Sequence, residues 1–290
     1  MIDEAPQLSQ AAAHALVGGV LLVGGALLVP GAIALARRIV PVREELRVSW
    51  GLGHAVQILL LGLAVSFSLP LVWPLPDRGP DLIELFCRTG LIFLVPTLWI
   101  GILVRRIDPA GTDALGLRWS GSGRGMLVGA AAYICLLPAL YGATLLWPML
   151  IEVLGGRVRE QAVMRSFVEL MEFDPARLWL ALVFGILIQP FFEELVFRGF
   201  LQPLLARSFG DLGGLIATSA LFAGMHGTHF FGPLFALSLI LGGVMLRTRR
   251  LSAAWTVHML HNGAMIFILL RFPAVREFGE STAVATLLGP

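Results

Sequence analysis

The apolar runs of this chain constrain its fold more than anything else in it. Eight of them approach the ~20 residues a helix needs to cross a bilayer. They are roughly Ala11–Leu35, His54–Trp73, Leu82–Val104, Met126–Trp147, Leu178–Leu201, Gly214–Phe231, Gly232–Leu246 and Ala253–Leu270. A backbone in lipid must satisfy its own hydrogen bonds, so runs of this length fold as helices. The sequence therefore predicts an all-α, polytopic membrane helix bundle of about eight transmembrane helices. Composition agrees. The 290 residues are 57% hydrophobic and 14% charged, against roughly 45–50% and 25% in soluble domains. The net charge is only +2 and no basic stripe is present, so the sequence predicts no nucleic-acid partner.

The connections alternate in charge. All 21 basic residues are Arg. Arg37, Arg38, Arg43 and Arg47 follow the first run, and Arg105, Arg106, Arg118 and Arg124 follow the third. Arg207 follows the fifth, and Arg247, Arg249 and Arg250 follow the seventh. The positive-inside rule puts these loops in the cytoplasm and both termini outside. The stretch 148–177 mixes four Arg with Glu152, Glu160, Glu169, Glu172 and Asp174. Within it Val163, Met164, Phe167, Val168 and Met171 recur at helical spacing, as in a helix lying on the membrane surface or packed on the bundle. Asp174-Pro175 predicts a helix start. The N-terminus is acidic and the first run is too long for a signal h-region, so that run is expected to stay as a membrane helix. Three parts are expected: N-terminal helices and loops over 1–125, a core over 126–272, and a tail over 273–290. Cys87 and Cys135 read as inert thiols in apolar helices, and Glu84 with Arg88 as a local ion pair.

Polar chemistry concentrates in the last four runs. The fifth contains Gln189-Pro190-Phe191-Phe192-Glu193-Glu194-Leu195-Val196-Phe197-Arg198. A charged side chain at mid-membrane costs about 2.5–3.5 kcal/mol on insertion scales, so such clusters mark functional sites. Glu194 and Arg198 are four apart and can pair on one helix face. Glu193 lies about 100° around the helix, which leaves it as the carboxylate for chemistry. Pro190 removes a helix hydrogen bond, so a loosened turn is expected beside the site. The sixth run carries Phe222-Ala223-Gly224-Met225-His226 and the eighth His258-Met259-Leu260-His261-Asn262, where His258 and Asn262 share a face. His229 and His261 read as neighbours without a direct role. At 1.5 Å per residue, Glu193 lies about 20 Å from Arg207 but His258 only about 12 Å from Arg250. The two meet only if the cytoplasmic side is funnelled or the eighth helix starts deeper.

In a dry pocket a glutamate can act as general base toward water, with His226 holding that water. His258 and Asn262 can donate to the oxyanion of a tetrahedral intermediate. Glu193, His226 and His258 could instead bind Zn²⁺ with an open fourth position. The residues leave both open.

These motifs resemble those of the CPBP intramembrane proteases, which include the CAAX prenyl endopeptidases and bacterial relatives linked to bacteriocin processing or immunity. The pattern Glu-Glu-x-x-x-Arg, Phe-x-x-x-His, His-x-x-x-Asn reads here as Glu193-Glu194-x-x-x-Arg198, Phe222-x-x-x-His226 and His258-x-x-x-Asn262. Phe197-Arg198-Gly199, Trp255 and the lead-in Leu115-Gly116-Leu117-Arg118 also fit. The resemblance implies a membrane endopeptidase whose site opens toward the cytosol. It implies Glu193 as water activator with His226 beside it, His258 and Asn262 as oxyanion donors, and Glu194 and Arg198 as support. It favours no cofactor, with Zn²⁺ as the alternative. It points to a multi-pass protein of a bacterial cell membrane that acts on a peptide or protein, membrane-anchored or prenylated. A non-catalytic immunity or scaffold protein and a proton-coupled transporter are the other readings, the latter because pumps also use intramembrane Glu and His.

Overall fold

A computed structural model describes residues 4–39, 48–74, 81–156, 170–172 and 174–271. The amphipathic stretch 163–168 and the tail 273–290 lie outside the described residues. Among those described there is no strand; eight long helices form the bundle. We number them α1 (Glu4–Ile39), α2 (Leu52–Val72), α3 (Leu82–Ile107), α4 (Ser122–Val153), α5 (residues 175–209), α6 (residues 211–225), α7 (Phe231–Thr248) and α8 (Leu251–Arg271). Their starts follow local chemistry. The Asp81 side chain accepts from the Glu84 N–H at 2.8 Å to begin α3, and that of Asp174 accepts from the Arg177 N–H at 3.1 Å to begin α5.

The helical run Pro175–Met225 is 51 residues long, far more than one crossing needs. It turns back at Gly210, whose φ of 74° and ψ of 167° suit glycine. The reversal brings Gly214 against Ala206, and both Gln202 and Leu215 against Gly242. With that division the chain is a polytopic membrane bundle, as the apolar runs predict. The run Pro175–Met225 and α2, α3, α4, α7 and α8 are long and apolar enough to cross a membrane, and α1 holds a shorter apolar stretch, Ala15–Gly31.

Helix α1 packs along α4, α2 on α3, α8 between α4 and α7, and α6 on α7. The α1–α4 contact is close because both helices are small there. A side chain on Gly25 would strike the backbone of Ala139, and one on Gly142 would strike the backbone of α1.

The loops sort to two ends. At one end, Arg207 donates to the Val48 and Trp50 carbonyls at 3.3 and 3.4 Å. There the Leu251 N–H reaches Gly116 O at 3.0 Å, Arg250 bonds Ser120 O, and Arg249 stands 3.8 Å from Asp211. All four loops rich in Arg in the sequence therefore meet at one end. At the other end, Arg177 pairs with Asp81 at 3.4 Å and the Trp147 indole donates to Thr228 O at 2.9 Å. Arg88 lies near that end too, paired with Glu84 at 2.7 Å and donating to Pro74 O.

The core has three buried clusters. One, at the Arg-rich end, holds Trp50, Ile100, Leu115, Phe200 and Leu251; the second holds Tyr133, Leu237, Leu241 and Val257; the third holds Phe86, Ala181 and Ile266. Helix α5 gives Phe191 and Leu195 to the first cluster and Ile186 to the third, and Val257 of α8 belongs to the second, so the polar motifs lie on elements that enter all three clusters.

Candidate active site

Helix α5 is irregular where the motif lies. The Gln189 N–H bonds Phe184 O and the Gln202 N–H bonds Phe197 O, both five residues back. Residues Phe184–Ile188 and Leu195–Leu201 are thus π-turns that flank Gln189–Glu194. Such turns are recurrent at functional sites because the widened ring frees backbone groups. This is the loosened turn expected beside Pro190. Gly185 O shows the consequence. In an α-helix it would take the Gln189 N–H, which goes instead to Phe184 O. In a π-turn it would take the N–H of residue 190, and proline has none. Asn262 supplies the missing donor: its amide bonds Gly185 O at 2.9 Å. The Trp255 indole N–H also bonds a carbonyl of this stretch, Leu187 O, at 2.9 Å. The third motif is thereby pinned to the first through carbonyls of the π-turn.

The Glu194–Arg198 pair forms as its spacing predicts, at 3.0 Å, with both side chains fully buried. Glu194 Oε1 accepts a second hydrogen bond, from His258 Nδ1 at 2.7 Å. Arg198 donates onward to Ser238 Oγ of α7 at 2.7 Å and lies 4.4 Å over the Phe222 ring of α6. A buried ion pair needs its remaining polar atoms satisfied if attraction is to offset desolvation; three neighbouring helices supply part of this, while Arg198 Nε and Glu194 Oε2 stay buried without a hydrogen-bond partner among the described residues.

Glu193 is 7% exposed and His258 4%. Glu193 Oε2 faces His258 Nε2 at 3.9 Å. That is too long for a hydrogen bond, and it is the spacing that one bridging water would fill with bonds of about 2.8 Å. The opposite atoms of both groups are tied: Glu193 Oε1 to Gln189 Nε2 at 2.7 Å, and His258 Nδ1 to Glu194. Because a carboxylate only accepts, Nδ1 carries a proton.

Glu193 has no ion-pair partner on its own helix but does have a neutral one. Gln189, four residues earlier, holds it. The four-residue spacing marks this pair in the sequence, although no charge on Gln189 does. Ser238 was also missed, and nothing in the sequence marks it.

His226 caps the end of α6. Its Nδ1 donates to Phe222 O at 2.7 Å, and its ring lies 4.7 Å from the Phe222 ring, which also touches His258 at 5.9 Å. Phe222 is thus the common wall between both histidines and Arg198. His261 packs instead edge-on to Tyr133 of α4 at 6.2 Å. Among the described residues no three His, Cys, Asp or Glu side chains are grouped to hold a metal. The set Glu193, His226 and His258 is not grouped as a metal cage in this arrangement.

The mismatch in depth also resolves. Leu251 bonds Gly116, and a Cβ built on Gly199 would stand 3.0 Å from the neighbouring Leu115 O. The level of Leu251 is therefore reached on α5 near Gly199, not at Arg207, because α5 runs on past it. Glu193 and His258 then lie at similar distances from that level.

Residues 175–264 match the family model described as type II CAAX prenyl endopeptidase Rce1-like. No curated protein and no solved structure matches. The matched stretch holds all six motif residues: Glu193, Glu194, Arg198, His226, His258 and Asn262. Through this segment of α5 to α8, the chain is similar to the Rce1-like family of CAAX prenyl endopeptidases.

Proposed function

We propose that this protein is an intramembrane endopeptidase that hydrolyses a peptide bond with water activated by Glu193. The observation that carries this is the 3.9 Å gap between Glu193 Oε2 and His258 Nε2, with both groups buried and tied at their other ends. A water in that gap donates to Glu193 and attacks the scissile carbonyl carbon. Its proton passes to Glu193 and then to the leaving nitrogen as the C–N bond breaks. His258, with Nδ1–H on Glu194, turns Nε2 toward the oxyanion as a hydrogen-bond donor. Asn262 has one amide hydrogen on Gly185 O and the second to give to the same oxygen. His226, with Nδ1–H on Phe222 O, presents the Nε2 lone pair to the water.

The site lies among membrane-crossing helices, which favours a substrate that is itself membrane-anchored. The description of the matched family names CAAX prenyl endopeptidases; for this chain we take the substrate as a peptide or protein held at the bilayer, prenylation being one form of anchor. We place the protein in a bacterial cell membrane.

The test is a comparison of membrane proteomes from cells with the wild-type protein and with Glu193→Ala. New peptide termini present only with the wild type are the expected result. Identical sets of termini would count against the proposal.

A further inference from the structure

The structure assigns a role to Gln189: it is a positioning residue that orients Glu193 for water activation. The inference rests on the proposed endopeptidase reading. Gln189 Nε2 donates to Glu193 Oε1 at 2.7 Å, one helical turn away. Its own Oε1 is buried and has no hydrogen-bond partner among the described residues. The amide thus has one polar tie, and that tie is to Glu193.

A packing role does not explain this. Leu or Met would fill the same volume in a membrane helix without an orphaned carbonyl, whose burial is costly. Gln202 Oε1 is orphaned in the same way, so what distinguishes Gln189 is that its one tie is to Glu193. The surroundings sharpen the argument. Glu194, the neighbouring carboxylate, is held by Arg198 and His258. Among the described residues Glu193 receives no such cation at hydrogen-bond distance; His258 Nε2 stands 3.9 Å away. A neutral amide fixes the rotation of the carboxylate without supplying a charge that would hold the proton-accepting oxygen. With Oε1 occupied by Gln189, Oε2 is the oxygen left facing the gap. Gln189 itself directly precedes Pro190 and follows the π-turn Phe184–Ile188, so its side-chain direction is set by the same backbone distortion that Asn262 and Trp255 brace.

The experiment measures kcat and KM on a membrane-anchored reporter peptide for Gln189→Met and Gln189→Leu, with thermal unfolding in detergent alongside. Misplacing a reacting group by an ångström can lower a rate about 100-fold. The expected result is a fall in kcat of about 10- to 100-fold with KM within about twofold, an unfolding midpoint equal to or above wild type, and a displaced pH–rate profile. Gln189→Asn, which keeps an amide donor, is expected to recover part of kcat. Wild-type kcat in both apolar variants would overturn the inference, as would a loss matched by a drop in the midpoint. If these variants are fully active while Glu193→Ala is dead, Gln189 loses its role and the endopeptidase reading stands. If Glu193→Ala cleaves normally, the endopeptidase reading itself fails.

Discussion

His258 Nδ1 stands 2.7 Å from Glu194 Oε1, across two helices and 64 positions of sequence. The second glutamate of the pair therefore joins the motif on α5 to the motif on α8. The same oxygen accepts from Arg198 at 3.0 Å. Glu194→Ala would leave the Arg198 guanidinium buried without its counter-ion. Removing one partner of a buried pair costs about 3–5 kcal/mol, so unfolding in detergent is expected at a markedly lower midpoint. Glu193→Gln keeps its shape and its place beside Gln189, so its midpoint is expected near wild type. Equal midpoints for Glu194→Ala and wild type would refute the bracing role.

Asn262 and Pro190 are predicted to be coupled. Asn262→Ala orphans Gly185 O, with an expected loss of about 1–3 kcal/mol for an unsatisfied buried acceptor. Pro190→Ala restores an N–H that can bond that carbonyl. Added to Asn262→Ala, it should recover part of the lost stability without recovering cleavage. A double-mutant cycle on unfolding free energies reads this directly; strict additivity would show that the two residues do not share Gly185 O.

Much of the site was legible because helices place residues four apart side by side. The Glu194–Arg198 pair follows from that rule alone. So does Gln189 with Glu193, once a neutral partner is considered. The bond from His258 to Glu194 and the one from Arg198 to Ser238 were not legible, since tertiary packing sets them. Depth misled for a physical reason. Counting rise from each loop assumes that helices end at one level, and α5 continues past the level of Leu251 before Gly210 turns it back. The polytopic helical bundle was legible, because lipid leaves a chain few ways to bury its backbone.

Trp50 anchors the first Arg-rich loop. Its ring is fully buried, stacked at 5.4 Å on Phe200, and its indole N–H bonds Phe200 O at 3.0 Å. Trp50→Ala should cost about 3–5 kcal/mol. Trp50→Phe retains the stack and loses one hydrogen bond, so about 1 kcal/mol is expected. Unfolding midpoints that fall equally for the two variants would show that the ring contributes nothing beyond its N–H.

Sidedness is testable with a membrane-impermeant thiol reagent after Cys87 and Cys135 are replaced. Ser49→Cys and Ser120→Cys lie in two Arg-rich loops at one end of the bundle, and Thr228→Cys lies at the other. The first two should label from the same side and the third from the opposite side. The positive-inside rule assigns the shared side to the cytoplasm. Labelling of Ser49→Cys and Thr228→Cys from one side would contradict the bundle.

The most direct test of the central claim is the cleavage rate of the purified protein in liposomes, wild type against Glu193→Gln, on a membrane-anchored reporter peptide. The amide cannot take a proton from water, and loss of a general base lowers rates about 10²- to 10⁴-fold. The account predicts a loss of that size with the unfolding midpoint unchanged. Cleavage by Glu193→Gln at the wild-type rate would contradict it.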